Sequence, residues 1–258
     1  MHLINDTERQ GRQLVSEAED SLLRSGSASD RIQVLGHRGA PSPGIAENSV
    51  AAVARALRQG ADGVEIDVWL VGNGTLVCTH ELAGADVTSL ATLPELLAAA
   101  QRPAGARVVV EAKPVADAHV AQATAEALAD VLRTSAGTAD ITISSFDADL
   151  LATIRATCAD LPVRTALLGE KTDAAATVVR RAFRDGHEEV HLPLVGVRRS
   201  PQAVESARDL GLSVALWTVN RPEDLHWAAE LGVDTVISDD VLVARSELDL
   251  AADAVPAP

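Results

Sequence analysis

The sequence predicts an α/β chain closed as a single-domain (β/α)8 barrel. From Ile32 onward, eight short β-type apolar runs alternate with segments of helical period, the pattern of a parallel sheet wrapped by helices. The length of 258 residues suits that fold, which commonly needs about 250. An open doubly wound sheet is the alternative, weakened because no Gly-x-Gly-x-x-Gly follows the first strand.

The strands are expected at Ile32–Leu35, Gly63–Leu70, Arg107–Ala112, Ile141–Ser144, Val163–Leu168, Glu189–Leu192, Ser213–Thr218 and Thr235–Ser238. A further short strand, Thr75–Thr79, follows the Val71-Gly72-Asn73-Gly74 turn, because Asn-Gly is a strong hairpin signal. Helices are expected at Asn48–Gln59, Leu93–Ala100, Asp117–Arg133, Ala148–Thr157, Ala174–Arg184, Pro201–Leu210 and Glu223–Glu230. Capping residues open two of them, in Glu47-Asn48-Ser49 and Ser145-Phe146-Asp147. Gly60, Gly186, Gly211 and Gly232 follow helix ends. The barrel is expected over residues 31–245. Residues 1–30 read as a helical extension, with Leu14, Val15, Ala18 and Leu22 on one stripe of Asp6–Arg24 and a Ser/Gly hinge at 25–29. Residues 246–258 read as a flexible tail.

Composition narrows the function classes. A formal charge of −15, from 22 basic and 37 acidic residues, argues against nucleic acid and against an anionic membrane surface. No apolar stretch approaches the roughly 18 residues of a membrane span, and Met1–Asp30 lacks the pattern of a signal peptide. Cys78 and Cys158 lie far apart and read as reduced thiols, so a cytoplasmic location is expected. Oligomeric state is not legible.

The most telling residues are Glu65 and Asp67, inside the run Gly-Val-Glu-Ile-Asp-Val-Trp. In a strand they share one face, while Val64, Ile66 and Val68 take the other. Two buried anions side by side call for a cation. Glu111 and Lys113 repeat the arrangement in the run beginning at Val108. Polar groups also gather at the other strand ends: His37-Arg38, His80, Ser144-Ser145, His191, Trp217, Asn220 and Ser238-Asp239. In barrel enzymes the chemistry sits at that rim. Each residue alone has a plainer reading: Glu65 and Asp67 could pair with Arg55 or Arg58, Lys113 could only neutralise Glu111, and Trp217 could be packing. It is their convergence that points to a metal and phosphate site.

These residues resemble the glycerophosphodiester phosphodiesterase family. The resemblance runs through His37-Arg38-Gly39, Glu47-Asn48-Ser49, Gly60 to Val68 and Gly74 to His80, then Val110 to Lys113, Trp217 to Asn220 and Gly232 to Asp239. It implies a TIM barrel that cleaves small-molecule phosphodiesters with one divalent cation. By motif position, Glu65, Asp67 and Glu111 would hold the metal, His37 and His80 would be the acid/base pair, and Arg38 and Lys113 would hold the phosphate. Trp217 would wall the alcohol pocket. All-oxygen ligands suit Mg²⁺ or Ca²⁺, with Mn²⁺ as a third candidate.

Two departures from the family stand out. Glu81 follows the second histidine where Asp is common, and only a dozen residues separate His80 from the helix near Leu93, where most members insert a capping subdomain. The shortened segment resembles the sphingomyelinase D branch, so a phospholipase D-like lyase that releases a cyclic phosphate is the alternative activity. A non-catalytic barrel that binds phosphate esters is the alternative of another class.

Overall fold

A computed structural model of the chain describes residues 31–101, 105–135 and 140–253. The expected N-terminal extension over 1–30 lies outside the described residues. The strands are β1 (Gln33–His37), β2 (Gly63–Leu70), β3 (Leu76–Cys78), β4 (Arg107–Ala112), β5 (Asp140–Ser145), β6 (Arg164–Leu168), β7 (Glu189–Pro193), β8 (Ser213–Trp217) and β9 (Thr235–Ser238). The sheet order is β1-β9-β8-β7-β6-β5-β4-β2-β3, and a further parallel pairing of β1 with β2 closes it. Eight parallel strands therefore form the barrel, with β3 as the antiparallel hairpin partner of β2. The expected fold class is borne out.

The helices are α1 (Val50–Arg58), α2 (Leu93–Ala100), α3 (Ala118–Thr134), α4 (Ala148–Thr157), α5 (Ala175–Arg184), α6 (Leu194–Arg199), α7 (Gln202–Asp209), α8 (Pro222–Leu231) and α9 (Val241–Asp253). Side-chain caps set several starts. Ser49 Oγ accepts the Ala52 N–H at 3.1 Å, and the Asp117 and Asp147 carboxylates accept the first free N–H groups of α3 and α4. At the end of α8, Gly232 takes a left-handed φ of +67° that a side chain would resist. Two helices have no counterpart among those expected from sequence. The short α6 begins directly after the last residue of a strand, and α9 runs on through residues 246–253 of the expected tail, anchored by the buried Leu248.

Strand parity divides the core. Val34, Val64, Ile66, Val68, Val108, Val110, Val214 and Leu216 pack against helix residues such as Val53, Leu96 and Leu128 in one large apolar cluster. Their sequence neighbours Leu35, Val109, Ala215 and Ile237, with Trp217 against them, form a separate small cluster inside the barrel. Below it, at the strands' N-terminal ends, lies a buried ionic plug. Arg107 donates to Gln33 Oε1 at 2.7 Å and to Thr235 Oγ1 at 2.9 Å, and it pairs with Glu189. Glu189 also accepts from Thr142 Oγ1 at 3.0 Å and faces Arg164 at 2.8 Å. Inward positions are thus charged below, apolar in the middle, and charged again above.

Candidate active site

The register of the strands assembles the upper layer. His37 on β1 lies beside Glu65 on β2, Asp67 on β2 beside Glu111 on β4, and Glu111 beside Ser144 on β5. All these positions share the inward parity. Glu65, Asp67 and Glu111 are buried, and each offers a carboxylate oxygen within 4.8 Å of the other two. Lys113 bridges two of them, its Nζ lying 2.5 Å from Asp67 Oδ1 and 2.6 Å from Glu111 Oε1. It therefore does more than neutralise Glu111. Arg55, the sequence-level partner for the acidic pair, instead donates to the Ala40 and Pro41 carbonyls.

The charge balance is uneven. Burial, reinforced by the charge of Asp67, raises the Glu65 carboxyl to about 8. Glu111 is likewise pushed up by burial, against the pull of Lys113. Asp67 goes the other way: the charge and hydrogen bond of Lys113, with Asn48 and Arg38, overcome burial and hold it below the usual carboxylate range. Three oxygen donors, two of them resisting ionisation, fit a hard divalent cation by donor chemistry and by charge.

Residues on the first βα turn orient this layer. Arg38 Nη1 donates to Glu47 at 2.9 Å, its Nε is 3.5 Å from Asp67, and its backbone N–H donates to Glu65 Oε2 at 3.2 Å. Arg38 and Asn48 have positive φ values, 55° and 51°. Gly39 beside them has φ +83°, and a Cβ there would lie 2.7 Å from the Ala52 carbonyl carbon. The glycine after His37-Arg38 thus lets the turn lie directly on α1. In the sequence Asn48 reads as part of a helix cap and of the Glu47-Asn48-Ser49 resemblance, with no link to Asp67. Its side chain instead donates from Nδ2 to Asp67 Oδ2 at 2.8 Å and accepts the Asp67 N–H at 2.9 Å.

The two candidate imidazoles differ. His37 Nδ1 donates to Asp239 Oδ1 at 2.6 Å, and Asn220 Nδ2 donates to the other oxygen of Asp239 at 2.6 Å. Burial alone would lower the His37 pKa, but the Asp239 hydrogen bond and the charges of Glu65 and Asp239 carry it above the usual value. His80 is lowered by burial and by the positive charges of Lys113 and Arg38. Asp239 is visible in sequence as a polar strand end. Its link to His37 follows from the pairing of β9 with β1, where Gly36 lies beside Ser238.

Above the interior cluster opens a cavity of about 390 Å³. His37, Arg38, Glu65, His80, Glu111 and Lys113 line one side; Phe146, Leu168, Trp217 and Ile237 line another. Phe146 meets Trp217 edge-on, with ring centroids 5.9 Å apart, and Lys171 sits over the indole. Asp67 lies just behind the carboxylate side, held by Asn48 and Lys113. The sequence-expected residues therefore meet at one place. The short segment after His80 carries no helix or strand before α2, apart from a single bridge between Val77 and Thr92. Cys78 and Cys158 are free and buried, and burial pushes both thiols up. No helix among the described residues is long and apolar enough to cross a membrane.

Comparison with known proteins gives a consistent result. The model of the glycerophosphoryl diester phosphodiesterase family matches residues 37–101 and 81–243. A probable glycerophosphodiester phosphodiesterase 1 from Mycobacterium tuberculosis is 30% identical over 245 residues, covering 78% of this chain and 86% of that protein. Among solved structures, a glycerophosphodiester phosphodiesterase from Parabacteroides distasonis superimposes with TM-score 0.75 at 23% identity, over 87% of this chain and 100% of that one. A phosphodiesterase from Oleispira antarctica, solved with its product sn-glycerol-3-phosphate, gives TM-score 0.73 at 22% identity, over 85% and 97%.

Proposed function

The chain belongs to the glycerophosphoryl diester phosphodiesterase family, and from that membership we propose that it hydrolyses glycerophosphodiesters to glycerol 3-phosphate and an alcohol. It is a phosphodiesterase-type enzyme. One observation carries the finer reading: two imidazoles, two cationic side chains and a trio of carboxylates meet around one 390 Å³ cavity. The product bound by the Oleispira relative agrees with a substrate of this size and charge.

In this reading Glu65, Asp67 and Glu111 hold one divalent cation, Mg²⁺ or Ca²⁺ by donor hardness. When bound, such an ion offsets negative charge on a phosphate oxygen. Arg38 and Lys113 bring positive charge to the phosphate against the chain's overall −15. Lys113 commits two of its three N–H donors to Asp67 and Glu111, and keeps one for a phosphate oxygen.

The two histidines divide the proton work. His37, backed by Asp239, favours the protonated form and suits the general acid. Asp239 occupies its Nδ1, which leaves Nε2 as the position from which a proton reaches the leaving alkoxide. His80, beside Lys113 and Arg38, favours the neutral form and suits the base that takes the nucleophile's proton. Phe146 and Trp217 offer an apolar wall to the substrate's carbons.

The bare segment between His80 and α2 favours a second reading, in which the nucleophile is a neighbouring hydroxyl of the substrate and a cyclic phosphate leaves. One experiment tests both. The purified protein is incubated with glycerophosphocholine, glycerophosphoethanolamine and lysophospholipids, with and without chelator, and the products are followed by phosphorus NMR. The expected result is divalent-ion-dependent release of glycerol 3-phosphate. A persistent cyclic phosphate would replace hydrolysis with the lyase reading, and no turnover of any diester would overturn both.

A further inference from the structure

We infer that Ser144 and His191 form a hydroxyl-recognition subsite on the floor of this cavity, holding an alcohol group of the substrate's polyol. The inference deepens the phosphodiesterase reading and rests on it. Both residues line the cavity, and both are buried, Ser144 at 1% and His191 at 0% exposure. Ser144 Oγ and His191 Nδ1 nevertheless have no hydrogen-bond partner among the described residues. Buried polar atoms are nearly always paired, and leaving one bare is costly. A polar group that belongs in the cavity is the simplest partner for both.

The ionic plug decides which polar group. His191 Nε2 lies 3.1 Å from Glu189 Oε2. Glu189 also faces Arg107, Arg164 and the Thr142 hydroxyl, so it is a carboxylate and only accepts. His191 must therefore carry a proton on Nε2; complete burial holds the imidazole below its usual pKa and so neutral, and its Nδ1 presents a lone pair. A lone pair cannot bind the unprotonated oxygens of a phosphate diester; it binds an O–H. Ser144 Oγ adds a group that both donates and accepts. Trp217 Nε1, a third buried atom without a partner among the described residues, lies on the same cavity and only donates.

Position agrees with chemistry. Ser144 sits beside Glu111 in the strand register, and on its other side the small Ala166 lies between it and Glu189. Arg38 follows β1 and Lys113 follows β4, next to Ser144 on β5, whereas His191 on β7 lies three strands further round the barrel from β4. A diester with its phosphate toward Arg38 and Lys113 would direct its polyol across the floor and along the Trp217 wall.

The test uses the full chain and the variants Ser144→Ala and His191→Phe. The substrates are glycerophosphocholine and propylphosphocholine, which lacks both hydroxyls. Removing either hydroxyl-binding group should lower the ratio of kcat/KM for the two diesters by about tenfold to a hundredfold. Calorimetric binding of sn-glycerol 3-phosphate against propyl phosphate should lose the same preference. Ratios unchanged in folded variants would overturn the subsite. If His191→Phe fails to fold, Ser144→Ala decides alone. If the unmodified protein cleaves neither diester, the phosphodiesterase reading falls, and the binding ratio still decides the subsite: a preference for the hydroxylated ligand that the variants lose upholds it, and no such preference sinks it.

Discussion

Asn48 holds Asp67 from both ends, donating to its carboxylate at 2.8 Å and accepting its backbone N–H at 2.9 Å. The amide sits at a φ of +51°, a region Asn tolerates better than most residues. The turn after β1 thereby fixes the rotamer of a carboxylate on β2. Groups that orient a ligand in this way typically contribute ten- to a hundredfold in metal affinity or activity.

Asn48→Gly keeps the backbone conformation accessible and removes only the clamp. It should raise the divalent-ion concentration for half-maximal activity by about tenfold or more, with the fold retained. A metal-activation curve that superimposes on that of the unmodified protein would show that the clamp has no bearing on the ion.

Removing the carboxylate behind His37 should move the pH profile in a defined direction. Asp239 raises the His37 pKa, so Asp239→Asn lowers it. The limb of log kcat against pH that reports His37 should shift to lower pH, whichever proton-transfer role the imidazole has. A profile measured from about pH 4 to 9 checks this, and a limb that stays put or moves upward would separate Asp239 from the chemistry.

Lys113 balances two buried carboxylates. Lys113→Met should destabilise the metal-free protein by about 3 kcal/mol, the usual scale for stripping a buried ion pair of one partner. Added Mg²⁺ or Ca²⁺ should recover part of that loss, because a cation would take over the compensation. Denaturant unfolding with and without the ion measures both effects; a loss that no divalent ion restores would count against the carboxylate cluster as a metal site.

The plug beneath the barrel sets an acid limit. The hydrogen bond from His191, with the charges of Arg107 and Arg164, brings the Glu189 carboxyl down to about 2 despite its burial, from an ordinary 4.5. A depressed folded-state pKa gives stability that is complete above the unfolded value and fades as pH falls toward the folded one. About 2 kcal/mol of this contribution should be gone by pH 3, with the rest disappearing near pH 2. Unfolding of Glu189→Gln, compared with the unmodified protein at about pH 7 and pH 3, should show a correspondingly shallower acid loss. Equal acid losses in the two would remove Glu189 from the account.

Residue order alone determined much of this molecule. The eight apolar runs, the Asn-Gly hairpin and the i, i+2 spacing of Glu65 with Asp67 and of Glu111 with Lys113 are local patterns. Strand parity is local too, so it sends those side chains to one face however the chain closes. The closed sheet decided the rest, because the deciding partners are far apart in the chain. His37 finds Asp239 across 202 positions only because β9 lies against β1, and Arg107 finds Glu189 across 82 only inside a closed ring. Asn48 reads as a helix cap until the turn bends it onto Asp67, and α9 reads as a tail until Leu248 finds a buried seat. Sequence can name the groups on each strand face, but hydrogen bonds between strands of unequal register settle which of them touch.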